Sequence, residues 1–380
     1  MPFRYQGLQE ALTGLGKTGI SLVAYDGNIL KPAGFSDDVG IYYVIPKIAY
    51  TFNISIDQSM NLFFIGLVLV SWALGIIGSF LLFRTWLSRV VAFVGLLLLS
   101  LIVLKVGDVY LVPPSVAVAI VPFFLFFAKD KPFNISFVAC IFLSGIGIGT
   151  AHYLRSHAGT AVVIFIVSLL ILYCRMHRRE KLILAAALGA GVLVPIVYFQ
   201  TLLDRRDAYL MSHYPEHRQV LRHHVFWHSV YIGLGFLNNT YGIQYLDEVA
   251  IEKVRSISPD VVYLSQEYET TLRNEVLRLM KDAPLFVLTN VFAKIGVISF
   301  YLLVFANVGL LTAVLHPKTW SLELAFWIGM AFNALFGILI IPNPPYLLGF
   351  IAFATLYGIV SINHTIESGV WRDRLVKITA

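Results

Sequence analysis

Two adjacent carboxylates, Asp37 and Asp38, stand ahead of a tyrosine-rich amphipathic segment, Val39 to Tyr50, just before the first of many long apolar runs. Desolvating charge at the edge of a membrane domain costs on the order of several kcal/mol unless a partner compensates, so carboxylates fixed there are usually kept for chemistry or for an ion. A carboxylate so placed can act as general base, taking the proton of a hydroxyl as its oxygen attacks an electrophile. The same pair would also serve as an ordinary helix cap in a solvated loop.

The other residues capable of chemistry are Asp108, the run His152-Tyr-Leu-Arg155-Ser-His157, a basic stretch with Arg218, Arg222, His224 and His228, and the carboxylates Glu267 and Glu269. Arginine offers paired donors to a phosphate, aromatic faces carry a sugar or lipid chain, and carboxylates bind sugar hydroxyls. His213 and His217 are four residues apart, as are His224 and His228, which on a helix would place each pair on one face, as zinc ligation requires. No HExxH accompanies them, and Cys140 and Cys174 both lie in apolar runs. No metal ligands are therefore assigned and no cofactor is required, a divalent cation being the one left open. A Walker loop, a GxSxG elbow and a dinucleotide fingerprint are all missing, which argues against ATP-driven transport and serine hydrolysis.

The elements that must position these groups are membrane helices. The chain has 380 residues, is 58% hydrophobic and only 13% charged; a soluble domain carries roughly twice that charged fraction. Residues 1–59 lack an apolar run of the ~20 residues that span a bilayer and read as a loop with short amphipathic helices. Nine spans follow, at about 60–83, 90–106, 115–128, 135–151, 160–174, 182–200, 285–315, 320–341 and 346–363. Runs such as Gly145 to Gly149 and Ala185 to Gly191 suit close contact between helices. Arg84 and Arg89, Lys129 and Lys131, Arg175 to Lys181, Lys318, and the tail after residue 363 make every second connection basic. Basic connections mark the cytoplasmic side, so the net charge of +6 needs no nucleic acid to explain it. On this topology 1–59 and 201–284 share the non-cytoplasmic face with Asp108 and the 152–159 loop. The expected architecture is an all-α polytopic membrane protein: an external loop (1–59), six spans (60–200), a mainly helical external cap (201–284), three spans (285–363) and a cytoplasmic tail (364–380). Within the cap, helices are expected over Asp247 to Ser256 and Glu267 to Lys281, after a turn at Asn238 to Gly242.

The segment FSDDVGIYYVIPKIAY (35–50) resembles the first external loop of the GT-C superfamily, integral-membrane glycosyltransferases that use polyprenyl-phosphate sugars. Leu272 to Pro284, LRNEVLRLMKDAP, is similar to the segment that precedes a span in bacterial members, with Asp282-Ala283 where His is usual. The resemblance implies a polyprenyl-phosphate-linked sugar donor, a glycan, lipid or protein acceptor, and a catalytic base at Asp37 or Asp38. It also implies a bacterial inner membrane with the active site on its periplasmic face. The family begins with a span ahead of this loop, so one N-terminal helix is expected to be missing beside the 60–83 span, leaving a groove of small or apolar side chains. Two other classes stay open: a polysaccharide polymerase or ligase relying on Arg155, His157 and His228, and a secondary transporter, for which no internal repeat is found.

Overall fold

The computed structural model describes residues 2–34, 37–129, 133–213, 226–263 and 265–368. The chain divides into two compact units, one of Met1–Val220, Phe305–Met330 and Leu348–Ala380, the other of Leu221–Val304 and Ala331–Leu347. The protein is an all-α polytopic membrane protein. Among the described residues, eight helices are long and apolar enough to cross a bilayer.

The first unit opens with a helix α1 (Pro2–Thr18), a hairpin of β1 (Val23–Asp26) and β2 (Ile29–Pro32), and α2 (Val39–Phe52). The hairpin departs from the expectation of helices alone. Asp26 pairs with Ile29 across Gly27 and Asn28, and Gly27 takes φ +61°, the left-handed conformation that a two-residue hairpin turn requires. Val23 and Leu30 bury their side chains against Leu210.

α2 buries Ile41, Tyr42, Ile45 and Ala49, an apolar stripe at helical spacing. It ends at Asn53, in the left-handed region, and the next helix starts at once with a Ser55/Gln58 capping box. The Ser59 hydroxyl then donates to the Ile45 carbonyl at 2.7 Å, tying α2 to the first span.

The spans of this unit are α3 (Ile56–Leu82), α4 (Trp86–Val106), a 3-10 turn (Val109–Leu111) running into α5 (Val112–Ala128), α6 (Ile135–Leu154), α7 (Thr160–Leu172) and α8 (Arg178–His213). α5 starts earlier than its apolar run suggested, because Pro113 and Pro114 sit in its first turn, where the missing N–H costs nothing. α7 has only 13 residues, about 20 Å of helix against a hydrocarbon core of about 30 Å. It is the one expected span too short to cross by itself. α8 runs 36 residues, so residues 201–213, expected in the cap, continue the sixth span and reach the hairpin. α6 and α8 cross where a Cβ on Gly145 would lie 2.4 Å from the Leu188 carbonyl oxygen, a contact only glycine permits.

The second unit contains α9 (Phe226–Gly233), which was not expected, α10 (Asp247–Ile257) and α11 (Gln266–Asp282), which lie close to the two expected cap helices, and the start of α12 (Pro284–Leu315). Tyr231, Ile232, Val254, Tyr268, Leu272 and Val276 form its core. The last spans are α13 (Trp320–Leu339) and α14 (Pro344–Glu367). In α12, Lys294 is 2% exposed and donates to the carbonyls of Ile338 at 3.0 Å and Ile340 at 2.9 Å, where α13 ends.

Candidate functional site

The first unit gathers its polar groups where α1, the start of α2, the α4–α5 connection and the α6–α7 loop meet. Asp38 is the N-cap residue of α2 and Asp108 the N-cap residue of the 3-10 turn, yet neither side chain makes a cap bond. Both turn onto Arg4 instead: Nε donates to Asp38 Oδ2 at 2.9 Å and Nη1 to Asp108 Oδ2 at 3.0 Å. A cap is worth ~1 kcal/mol, and both positions give that up. The two carboxylates are each 1% exposed, and the Arg4 guanidinium bridges them. Among the described residues no group of three His, Cys, Asp or Glu is arranged to hold a metal.

Asp38 Oδ1 is buried without a hydrogen-bond partner among the described residues. Its carboxyl is pushed above the usual range by that burial, which outweighs the pull of Arg4 and Arg155. Burial also raises the nearby Tyr42 phenol, with the Asp38 charge adding to the effect.

Asp37 is the accessible member of the pair. Its side chain is 28% exposed and lies 3.6 Å from Arg155 Nη1, while its carbonyl accepts from Ser156 N–H at 2.6 Å. The two loops can approach this closely because a Cβ on Gly40 would lie 2.8 Å from the Tyr153 carbonyl oxygen. The Arg155 guanidinium also covers the Tyr110 ring, 4.9 Å from its centroid.

His157 turns the loop back with φ +63°, an uncommon conformation for a residue with a side chain. That turn points its N–H at His152 Nδ1, 3.3 Å away. A ring nitrogen that accepts cannot carry the proton, so neutral His152 is the Nε2–H tautomer.

His152 is also the polar end of a cavity of about 660 Å³ among α6, α7 and α8. Gly149, Gly159, Ala185 and Gly189 make the room, and Ile148, Val163, Leu188 and Val192 give it an apolar wall. His152 is the ionisable residue of its lining, and Arg155, which pairs with Asp37, follows it by three residues in the chain. A second cavity, of about 700 Å³, lies between α3, α5 and α6 and is lined by small and apolar residues such as Ser71, Ser115, Ala119 and Gly147.

The second unit holds a different cluster. Glu269 accepts from the backbone N–H of Phe226, Trp227 and His228 at 2.8 to 3.1 Å, the open donors at the start of α9. His228 is buried, with Nδ1 2.7 Å from the Tyr268 hydroxyl and Nε2 3.0 Å from Asp247 Oδ1. With Nε2–H donating to Asp247, Nδ1 is left to accept from Tyr268. That hydrogen bond holds the Asp247 carboxyl below its usual range, and burial raises the Tyr268 phenol.

Of the residues singled out by sequence, Asp37, Asp38, Asp108, His152, Arg155 and His157 lie together in the first unit. His228 and Glu269 are built into the second unit's core and helix start, where Glu269 anchors α9. Glu267 is exposed in the first turn of α11. Arg218, Arg222 and His224, with His217, lie outside the described residues, and His213 ends α8 stacked on Tyr209. Arg4 and Tyr110 were not foreseen. Tyr110 lies two residues from Asp108, whereas nothing around Arg4 in the sequence marks it. Comparison with protein families, with characterised proteins and with solved structures returns no match to this chain.

Proposed function

We propose that the protein is a membrane glycosyltransferase of the GT-C type, moving a sugar from a polyprenyl-phosphate donor to an acceptor hydroxyl on the non-cytoplasmic face. The observation that carries this reading is the pair of N-cap aspartates turned from capping onto Arg4, beside an accessible Asp37–Arg155 pair whose arginine follows, by three residues in the chain, the His152 that lines an apolar groove. A lipid phosphate needs both halves: an apolar channel for the chain and guanidinium at the phosphate.

In this reading Asp37 is the base. The acceptor oxygen attacks the anomeric carbon and gives its proton to the Asp37 carboxylate as the bond from that carbon to the phosphate oxygen breaks. The electron pair leaves with polyprenyl phosphate, which needs charge stabilisation rather than a proton. Arg155 supplies it, with its plane fixed by the Tyr110 ring. Asp38, Arg4 and Asp108 are positioning residues that hold the Asp37 backbone against the 155–157 loop.

The test uses purified full-length protein in lipid vesicles with a panel of polyprenyl-phosphate sugars and sugar, lipid and peptide acceptors, measuring release of free polyprenyl phosphate. Turnover that depends on Asp37 and Arg155 supports the assignment. Turnover that survives Asp37→Asn and Asp38→Asn separately but not Arg155→Gln or His157→Ala would shift it to a glycan polymerase.

A further inference from the structure

The far end of the same helices carries a second polar cavity, of about 480 Å³, which the glycosyl-transfer reading does not use. It opens where α3 ends, α4 begins, and α5 and α14 end. Leu82, Leu125 and Val360 form its apolar floor, and Arg84, Lys129, His364 and Glu367 its rim.

The charges there are only partly matched. Lys318 at one side is buried and already paired, 2.6 Å from Glu323 Oε1, with its Nζ over the Tyr357 ring at 4.3 Å. Glu367 accepts from the Arg84 backbone N–H at 2.6 Å and stands 3.5 Å from Lys129 Nζ, a loose ion pair. The Arg84 guanidinium is exposed and has no carboxylate partner among the described residues. The rim therefore offers a guanidinium and a weakly held ammonium above an apolar floor.

Two tryptophans fix the depth of this end relative to a bilayer. Trp86, the first residue of α4, is 73% exposed, and Trp320, the first residue of α13, is 69% exposed. Exposed indoles at the starts of spans sit at the level of lipid headgroups. A cavity with cations at that level and apolar side chains below it matches one end of a phospholipid, charge outward and glycerol inward.

We propose that this cavity binds the headgroup phosphate of an anionic phospholipid, with Arg84 and Lys129 as the donors and Glu367 holding the Arg84 backbone and the Lys129 amine beside it. The inference is independent of the glycosyl-transfer reading.

The test is native mass spectrometry of the full-length protein released from detergent with equal amounts of phosphatidylglycerol and phosphatidylcholine. The wild type should retain phosphatidylglycerol on the order of tenfold better, two basic groups near the surface being enough for that preference. The Arg84→Gln/Lys129→Gln variant should lose most of it. Arg178→Gln/Arg179→Gln, which removes exposed cations at the start of α8 outside the cavity, should keep it. If the first variant does not fold, as judged by thermal unfolding, Arg84→Gln alone serves, since that side chain is exposed. Equal retention of the two lipids by the wild type, or equal loss in both double variants, would overturn the site. Displacement of bound phosphatidylglycerol by excess inorganic phosphate would overturn the lipid in favour of a soluble phosphate.

Discussion

Asp38 and Glu269 are both acidic residues beside the start of a helix, and their surroundings differ in one respect. Glu269 distributes its two oxygens over three backbone N–H groups of α9, so its charge is matched by donors that are part of the fold. Asp38 occupies the N-cap position itself, declines that role, and binds a side chain from another helix, with one oxygen buried and without a partner among the described residues. A carboxylate that completes secondary structure lowers the free energy of the fold. One that forgoes the nearest donors for a distant arginine keeps a local cost, and such costs cluster at functional sites.

The widest separation should come from Asp37→Asn. It removes the accessible carboxylate of the first cluster but leaves the Arg4 bridge, so donor cleavage should fall by about 10²- to 10⁴-fold while thermal stability barely moves. Wild-type turnover in this variant would erase the functional half of the contrast. Arg4→Ala strands two buried aspartates and should cost ~3–5 kcal/mol of stability, read from denaturant or thermal unfolding. Adding Asp38→Asn and Asp108→Asn should recover much of that loss, which a purely steric role for Arg4 would not allow. Glu269→Ala should be milder, about 1–2 kcal/mol, and confined to α9. Amide exchange should rise across Phe226 to Tyr231 with no change in α2, and a change spread over both would show that the two corners are not separate.

The smallest effect has opposite signs in the two places. Asp247 has a depressed carboxyl, so its contribution is present above the ordinary value of about 3.9 and is lost as pH falls through the lower folded value. Asp38 has a raised carboxyl, so its folded form holds the proton more tightly than the unfolded chain. Its corner should strengthen as pH falls from the raised value towards about 3.9. Amide exchange between about pH 3 and 6, corrected for intrinsic rates, should show α9 loosening and α2 tightening with acid. Parallel trends would contradict the assigned environments.

Much of this molecule could be read from its sequence, and the parts that could not share a cause. The spans, the α10 and α11 helices and the convergence of Asp37, Asp108 and Arg155 follow from hydropathy, helical spacing and the charge of short connections, all local signals. The hairpin was not foreseen: Gly27-Asn28 between apolar residues is a two-residue turn signal, but four-residue strands leave little periodicity to go with it. Arg4 was not legible. It precedes its partners by 34 and 104 residues, and no spacing rule reaches that far. The tautomer of His152 likewise depends on a left-handed turn at His157 that histidine does not announce.

Lys294 bears on how the protein is made. The acceptors for its amine, the carbonyls of Ile338 and Ile340, come 44 and 46 residues later in the chain. When α12 leaves the ribosome those carbonyls have not been synthesised, and a lysine within a span raises the cost of insertion by ~2.5–3.5 kcal/mol. The otherwise apolar α12 can bear that cost for a time. The amine meets these acceptors only once the end of α13 has been made.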